Sequence, residues 1–405
     1  MAITSTTGMM KKIIVLACLL LFSIVAFPQW IMQNPAPTGN AMQSVFFTNA
    51  TTGYTVGTNG TILKTIDSGI SWNPQASGTT KSLLSVFFTD DNTGYCTGSF
   101  RTILKTINGG AVWTLLSSGE NYLSSVYFTD ANTGYAVGNG ATIIKTIDAG
   151  ITWTTMTVPI PSFYYLHSVY FTDANTGYAV GFAGTILKTI NAGIDWSVQS
   201  IGSTTTLHCV FFPDANTGYV VGEDEQGHGI IFKTTDAGSN WVALSSGTNQ
   251  TLWAVFFTDA DNGYAMGAGG TILKTNNGGT TWYGQSSGVT YDLYAVCFTD
   301  ANNGYSVGLD GTILKTTNGG GLGLDEISGK ANYLNIYPNP ASTTITIETL
   351  AKGSIAILNL NGQEQIHQPI TEPTTTIDVS TLPSGVYIVK VVGEKGLQLG
   401  KFIKK

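Results

Sequence analysis

A Gly-Tyr pair recurs seven times along the chain, at Gly53-Tyr54, Gly94-Tyr95, Gly134-Tyr135, Gly177-Tyr178, Gly218-Tyr219, Gly263-Tyr264 and Gly304-Tyr305, at intervals of 40 to 45 residues. A period of that length is the size of one propeller blade or solenoid unit. Each copy holds four short β-rich segments; in the third they are Leu123 to Phe128, Tyr135 to Gly138, Thr142 to Thr146 and Thr152 to Thr155. Four strands joined by tight turns form a meander, the unit of a propeller blade. With 49 glycines, many threonines and asparagines, and no long helical periodicity, the composition points the same way, to an all-β chain.

The last copy decides between an open array and a closed ring. Six copies end in a tryptophan strand, at Trp72, Trp113, Trp153, Trp196, Trp241 and Trp282, but the seventh has Gly323 at that position. Trp30-Ile31-Met32-Gln33 stands about fifteen residues before Val45, close to the offset between Trp72 and Val86. We expect this N-terminal strand to complete the seventh blade and latch the ring, which removes the exposed edges of an open array. The fold expected is a seven-bladed β-propeller closed by an N-terminal strand, plus a small C-terminal β-sandwich. The expected divisions are a secretory signal peptide at 1–28, the propeller at 29–320, a Gly-rich linker at 321–331 and a C-terminal domain at 332–405.

Charge placement excludes some partners. Only 11% of residues are charged, against roughly a quarter in ordinary soluble domains. Between Trp30 and Leu324 there are nine basic residues against eighteen acidic ones, and seven of the nine are a lysine at one repeat position. No basic stripe exists to follow a phosphate backbone, so nucleic acid is not an expected partner. At the N-terminus, Lys11 and Lys12 precede the apolar run Ile13 to Phe27, the length of a secretory h-region and short of the ~20 residues that span a membrane. Export is therefore expected, with no transmembrane anchor in the mature chain. Cys96, Cys209 and Cys297 fall in different repeats and read as isolated thiols, not as a disulfide framework.

Each turn between third and fourth strand follows the pattern Ser/Thr-x-Asp/Asn-x-Gly-x-x-Trp, as in Thr65-Ile66-Asp67-Ser68-Gly69-Ile70-Ser71-Trp72. The Asx side chain can bond the turn's own amides while glycine supplies positive φ. The pattern resembles the Asp-box of sialidase-type repeats. The whole unit, SVFF followed by Asn-Thr-Gly-Tyr-x-x-Gly and Thr-Ile-Leu-Lys-Thr, resembles the photosystem II stability and assembly factor family over residues 30–324. That resemblance implies a seven-bladed propeller. It does not carry the family's role, because members assist a photosystem through an arginine-rich patch and this propeller has one arginine, Arg101. Sialidases grip a carboxylate with three arginines, and the similar xyloglucanases use two propellers, so neither activity is implied.

The copies differ on one face. In a meander the first-to-second and third-to-fourth turns share a face, and here both barely change between copies. The opposite face varies. At the second position of the first strand the blades carry Gln43, Leu84, Ser124, His167, His208, Trp253 and Tyr294 in turn, which symmetry places in a ring around the channel mouth. The second-to-third loop carries Phe100-Arg101 in blade two and Phe182 in blade four, and expands to Glu223-Asp224-Glu225-Gln226-Gly227-His228 in blade five. Phe163-Tyr164-Tyr165 precedes blade four. The candidate ligand-binding residues are Arg101, Tyr164, Tyr165, His167, Phe182, His208, Glu223, Asp224, Glu225, His228, Trp253 and Tyr294. Aromatic side chains beside hydroxyl-rich loops suit sugar rings or a protein partner. The histidines with Glu223 lack a fixed metal-ligand spacing, so no metal and no cofactor are expected. Glu225 with a second acid is the one candidate for a glycosidase pair.

From about Asn332 the register changes to short alternating strands, consistent with a small β-sandwich. Tyr337-Pro338-Asn339-Pro340-Ala341, the LNLNGQ around Gly362, Gly385-Val386-Tyr387 and the terminal Lys401-Phe402-Ile403-Lys404-Lys405 together resemble the type A C-terminal sorting domain of the type IX secretion system. The resemblance implies the secretion machinery as a partner and a cell-surface or secreted destination. The sorting-signal residues it implies are Tyr337, Pro338, Asn339, Pro340, Gly385, Tyr387, Lys401, Lys404 and Lys405. The expected function is a non-enzymatic glycan- or protein-binding module, the alternatives being a carbohydrate-active hydrolase or a purely structural surface protein.

Overall fold

The computed structural model describes residues 29–33, 38–117, 119–321, 334–348, 353–359, 363–370, 372–393 and 396–405. The proposed signal peptide, Gly362, and the linker from residue 322 onward lie outside the described residues. The repeats form seven four-stranded antiparallel sheets. Blade three shows the plan, with strands Leu123–Phe128, Gly134–Gly138, Thr142–Thr146 and Thr154–Thr155 paired in sequence order. First strands of successive blades pack against one another all the way round, including Leu293–Phe298 of blade seven against Met42–Phe47 of blade one. The ring is closed. Its outer strand in blade seven is Ile31–Met32, paired antiparallel with Ile313–Thr316 through Ile31 to Lys315 and Met32 to Leu314.

The recurring residues build the joints between blades. The Gly-Tyr tyrosine of each blade stacks on the phenylalanine that ends the next blade's first strand, as Tyr95 does on Phe128 at 4.0 Å and Tyr305 on Phe47 at 4.0 Å. The repeat tryptophan meets that phenylalanine edge-on, Trp153 at 6.1 Å from Phe128 and Trp72 at 6.0 Å from Phe47. In blade seven Trp30 takes this place, 5.7 Å from Phe298, and its indole N–H donates to Gln285 Oε1 at 2.9 Å. Buried aromatic stacks contribute about 0.5–1.5 kcal/mol each beyond their area, so the same joint repeated seven times fixes the ring size.

Polar groups complete each joint. Tyr95 Oη donates to Ala149 O at 2.8 Å and Lys105 Nζ reaches the same carbonyl at 2.7 Å. Five other repeat lysines, Lys64, Lys145, Lys188, Lys233 and Lys315, do likewise at their own joints, and Lys274 donates to Gly321 O at 3.3 Å. These cations hold the scaffold. The turn that supplies the carbonyl is rigid. In blade one Asp67 Oδ1 accepts Ser71 N–H at 2.9 Å, Thr65 Oγ1 accepts Gly69 N–H at 2.8 Å, and hydrogen bonding to Ser71 pulls the Asp67 carboxyl down to about 2. Gly69 is obligatory twice over: its φ is +78°, and a Cβ there would lie 2.8 Å from the Tyr305 ring.

The C-terminal part is a separate sandwich. One sheet orders Asn335–Tyr337, Thr344–Glu348 and Thr374–Asp378; the other orders Glu364–Ile370, Gly353–Leu358, Gly385–Gly393 and Gly396–Lys404. Ile345, Ile347 and Ile377 of the first close on Ile355, Ile357, Val389, Val391 and Phe402 of the second in one core. The strand Glu364–Ile370 lies at a sheet edge and is mostly exposed. In blade three the fourth strand was expected from Thr152; pairing begins at Thr154, after the tryptophan has turned inward to the joint.

Candidate functional site

The channel mouth is shaped by a β-bulge repeated in every blade. Register slips by one residue between Leu207 and Cys209, and at the equivalent place in the other six first strands. The bulged residues are Gln43, Leu84, Ser124, His167, His208, Trp253 and Tyr294. A bulge bends its strand and re-aims the extra side chain. Opposite it stands a glycine: a Cβ on Gly222 would lie 1.9 Å from Thr206 O, so the bulge requires the repeat's Gly-Tyr-x-x-Gly glycine.

The ring expected from symmetry forms, and its chemistry is concentrated in four consecutive blades. His167 and His208 lie 5.2 Å apart, His208 and Trp253 4.3 Å, and Trp253 and Tyr294 5.9 Å between ring centroids. Gln43, Leu84 and Ser124 complete the circle without rings. Glu223 is on the second strand of blade five, Gly218–Glu223, and not in the loop where the sequence reading placed it. From there its Oε2 accepts Thr251 Oγ1–H at 2.7 Å, and its Oε1 stands 3.6 Å from His208 Nε2, too far for a hydrogen bond.

Burial makes His208 a neutral base. Its side chain is 10% exposed, and burial, with His167 beside it, pushes its pKa down to about 3. Burial lowers His167 as well. Two buried polar atoms at this mouth lack a hydrogen-bond partner, His208 Nε2 and Trp253 Nε1. The six turn tryptophans leave their indole N–H unpaired too, so an unpaired indole alone marks no site. The mouth differs in that a second unpaired atom, His208 Nε2, lies beside the indole.

The remaining candidates form separate clusters. Asp224 and His228 face each other inside the blade-five hairpin, Nδ1 to Oδ2 at 3.1 Å, and Asp224 Oδ1 accepts the N–H groups of Gln226 and His228. Both are thereby committed to the turn. Glu225 is exposed and accepts Thr204 Oγ1–H at 3.1 Å. Before blade four, Tyr164 lies 5.0 Å from Phe163 and 5.7 Å from Phe182, and Tyr165 is half exposed. Arg101 stands apart, in the second-to-third turn of blade two. Among the described residues no group of three or more His, Cys, Asp or Glu side chains is placed to hold a metal ion.

The opposite face is less uniform than its turns suggested. At two repeat positions blades one to four present Ile66, Ile70, Ile107, Ile147, Ile151, Ile190 and Ile194, each 66 to 78% exposed, and blade two adds Val112 one residue beyond the second position. At the matching positions blades five and six carry Thr235, Ser239, Asn276 and Thr280. An apolar cleft of about 430 Å³ lies between blades two and three, lined by Ile107, Val112, Leu116 and Ile151.

Residues 25–116, 76–157, 116–248 and 239–321 match the family model described as photosynthesis system II assembly factor YCF48. The chain belongs to the YCF48 family. Among solved structures, YCF48 from Cyanidioschyzon merolae is 22% identical, with a TM-score of 0.60 over 71% of this chain and 98% of that one. A YCF48 bound to D1 peptide is 20% identical, with a TM-score of 0.60 over 71% and 96%. The GH74 xyloglucanase from Xanthomonas campestris is 12% identical, with a TM-score of 0.59 over 79% and 59%. At these identities the likeness is one of fold. A search of curated proteins finds no match. This YCF48-family propeller carries a tail, residues 335–405, that matches the secretion system C-terminal sorting domain of the type IX route. The tail directs the chain to the cell surface or the medium through that machinery.

The residues expected to form the sorting signal meet at one corner of the sandwich. Asn339 Oδ1 accepts Ile403 N–H at 2.9 Å and its Nδ2 donates to Lys401 O at 3.2 Å. Ala341 N–H donates to Ile403 O, and Lys405 N–H to Ala341 O, both at 2.8 Å. Tyr387 stacks on Phe402 at 5.5 Å and donates to Pro383 O. Pro338 and Pro340 flank Asn339, and Gly385 pairs with Lys404, which is buried.

Proposed function

We propose that this is an exported, surface or secreted, non-enzymatic binding propeller that takes a glycan at the channel mouth of blades four to seven. The observation that carries the reading is the run His167, His208, Trp253 and Tyr294, in which two buried polar atoms await a partner. A sugar hydroxyl can pair with neutral His208 Nε2, as donor or acceptor according to the tautomer, and accept from Trp253 Nε1–H, while its ring face stacks on an aromatic one. Tyr164, Tyr165 and Phe182 extend the aromatic surface before blade four. The apolar leader at Ile13 to Phe27 supports export, in line with the sorting tail.

A panel of immobilised oligosaccharides and peptides, probed with the full mature chain, tests this. Trp253→Ala and His208→Ala are expected to weaken glycan binding at least about tenfold, the worth of one lost buried hydrogen bond plus a stacking contact. Glycan binding indifferent to both changes, or binding of peptides alone, overturns the assignment. Turnover of a polysaccharide that vanishes in Glu225→Gln would establish the hydrolase alternative instead.

A further inference from the structure

Blade two departs from its sisters in a way that adds to the glycan reading. The second-to-third turn passes through two left-handed residues, and blades one, four, six and seven place a glycine second, at Gly60, Gly184, Gly270 and Gly311. Blade two places Phe100 and Arg101 there, at φ of 56° and 51°. In that conformation a Cβ crowds the following carbonyl, and two bulky residues in succession are held against their preference. Backbone held this way clusters where a chain binds or reacts.

The neighbouring loop is reshaped to permit it. In blade one a Cβ on Gly60 would lie 1.9 Å from Thr79 O, so no side chain fits. In blade two Arg101 N–H donates to Asn121 O and Gly119 N–H donates to Phe100 O at 2.7 Å. The loop instead passes Arg101 at Gly119, where an added Cβ would meet Arg101 Cβ at 3.3 Å and Cδ at 3.2 Å.

What this turn presents is unlike anything else on the propeller. Of its nine basic residues, seven are the repeat lysines bonded to backbone carbonyls at the blade joints. The other two, Lys81 and Arg101, are both here. Lys81 Nζ sits 4.1 Å from the Phe100 ring centroid, and Phe100 lies 5.9 Å from Tyr122, with the two rings 45% and 42% exposed. Arg101 borders a cleft of about 490 Å³ with Asn121, Glu120 and Trp153, and among the described residues no ion pair holds its guanidinium.

We propose that this corner is a subsite for a carboxylate carried on a sugar ring, so that the ligand is an acidic glycan; the proposal rests on the glycan reading above. Phe100 and Tyr122 offer ring faces for stacking, and Lys81 and Arg101 take the carboxylate. An acidic peptide fits less well. The N–H groups of Ser99, Arg101, Thr102 and Gly119 are spent within the turn and its loops, so they are not open to pair with an extended backbone.

The test titrates the full mature chain with oligogalacturonate, with its methyl ester of the same length, and with poly-glutamate, and records thermal unfolding beside it. Phe100→Asn with Arg101→Gly rebuilds the Asn59-Gly60 turn of blade one. This double variant is expected to unfold at a higher temperature while losing at least about tenfold in oligogalacturonate affinity. Lys81→Gln, which leaves the turn alone, is expected to lower the affinity severalfold, and added salt to narrow the difference. If the methyl ester binds as tightly as the acid and the variants bind like the parent, the subsite is overturned while the glycan reading stands. Poly-glutamate binding at least as tight as oligogalacturonate assigns the corner to an acidic peptide and overturns it too. Failure of both sugars overturns the subsite and the glycan reading together.

Discussion

His208 is the residue at which the proposed binding and the stability of the fold are coupled. Its pKa falls from an ordinary histidine value to about 3 because a charged imidazole there would be buried beside His167. The unfolded chain therefore binds a proton that the folded chain refuses across the window from about pH 6.5 down to pH 3, and stability is lost as pH falls through it. Two units of that window correspond to at most about 3 kcal/mol. The depressed turn carboxylates, Asp67 and Asp236 at about 2, lose their contribution only below about pH 4. Denaturant unfolding of His208→Gln between pH 6.5 and 4.5 is expected to show a shallower pH dependence than the parent. An unchanged slope would mean that His208 is solvated and titrates normally. The position of this histidine in a ring was legible by laying seven copies side by side, whereas its neutrality was not. That depends on the bulge turning the side chain inward against its neighbours, a distance no repeat alignment contains.

At the scale of an element, the N-terminal strand carries the closure. Among the described residues its pairing with blade seven is short, Ile31 and Met32 in register and Gln33 N–H donating to Ile313 O at 2.8 Å, so hydrogen bonds contribute little. Trp30 does more: fully buried, it fills the seat that a tryptophan fills in each of the other six blades. Trp30→Ala is expected to cost about 3–5 kcal/mol in equilibrium unfolding, the range for a large buried aromatic. Trp153→Ala, in the middle of the array, is expected to cost a similar amount. A loss under about 1 kcal/mol for Trp30 alone would show that the ring holds without its latch. The latch could be read from the sequence because a missing tryptophan at one end matched a spare one at the other. Glu364–Ile370 could not be read that way. It is an edge strand, with Pro369 tolerated there; Ile366, Gln368 and Ile370 turn inward, and the glutamine among them breaks the apolar alternation that betrays a half-buried strand in a sequence.

At the scale of the whole molecule, sevenfold architecture and uneven chemistry coexist. Blades one to four share a serine whose Oγ accepts the next blade's valine N–H, as Ser44 does from Val86, while blades five to seven have Cys209, Ala254 and Ala295 instead. A similar division on the turn face separates the exposed isoleucines of blades one to four from the polar Thr235, Ser239, Asn276 and Thr280 of blades five and six. Packing at the joints holds the aromatic residues constant, and positions free of that packing diverge, which is why the sequence revealed the scaffold more completely than the ligand. The tail has its own core, and its sorting motifs are tied to one another by Asn339 and Ala341 and not to a repeat. It should therefore act as a transferable unit. Removing residues 334–405 is expected to leave a folded propeller in the periplasm, with an unchanged melting transition. Fusing the same residues behind an unrelated periplasmic carrier is expected to bring that carrier to the surface or the medium. Asn339→Ala in the fusion removes two bonds to the final strand and is expected to reduce export severalfold while the carrier stays folded. Export of the truncated propeller at parental levels would refute the tail's role, and export of the Asn339→Ala fusion at parental levels would refute the corner as the part that matters.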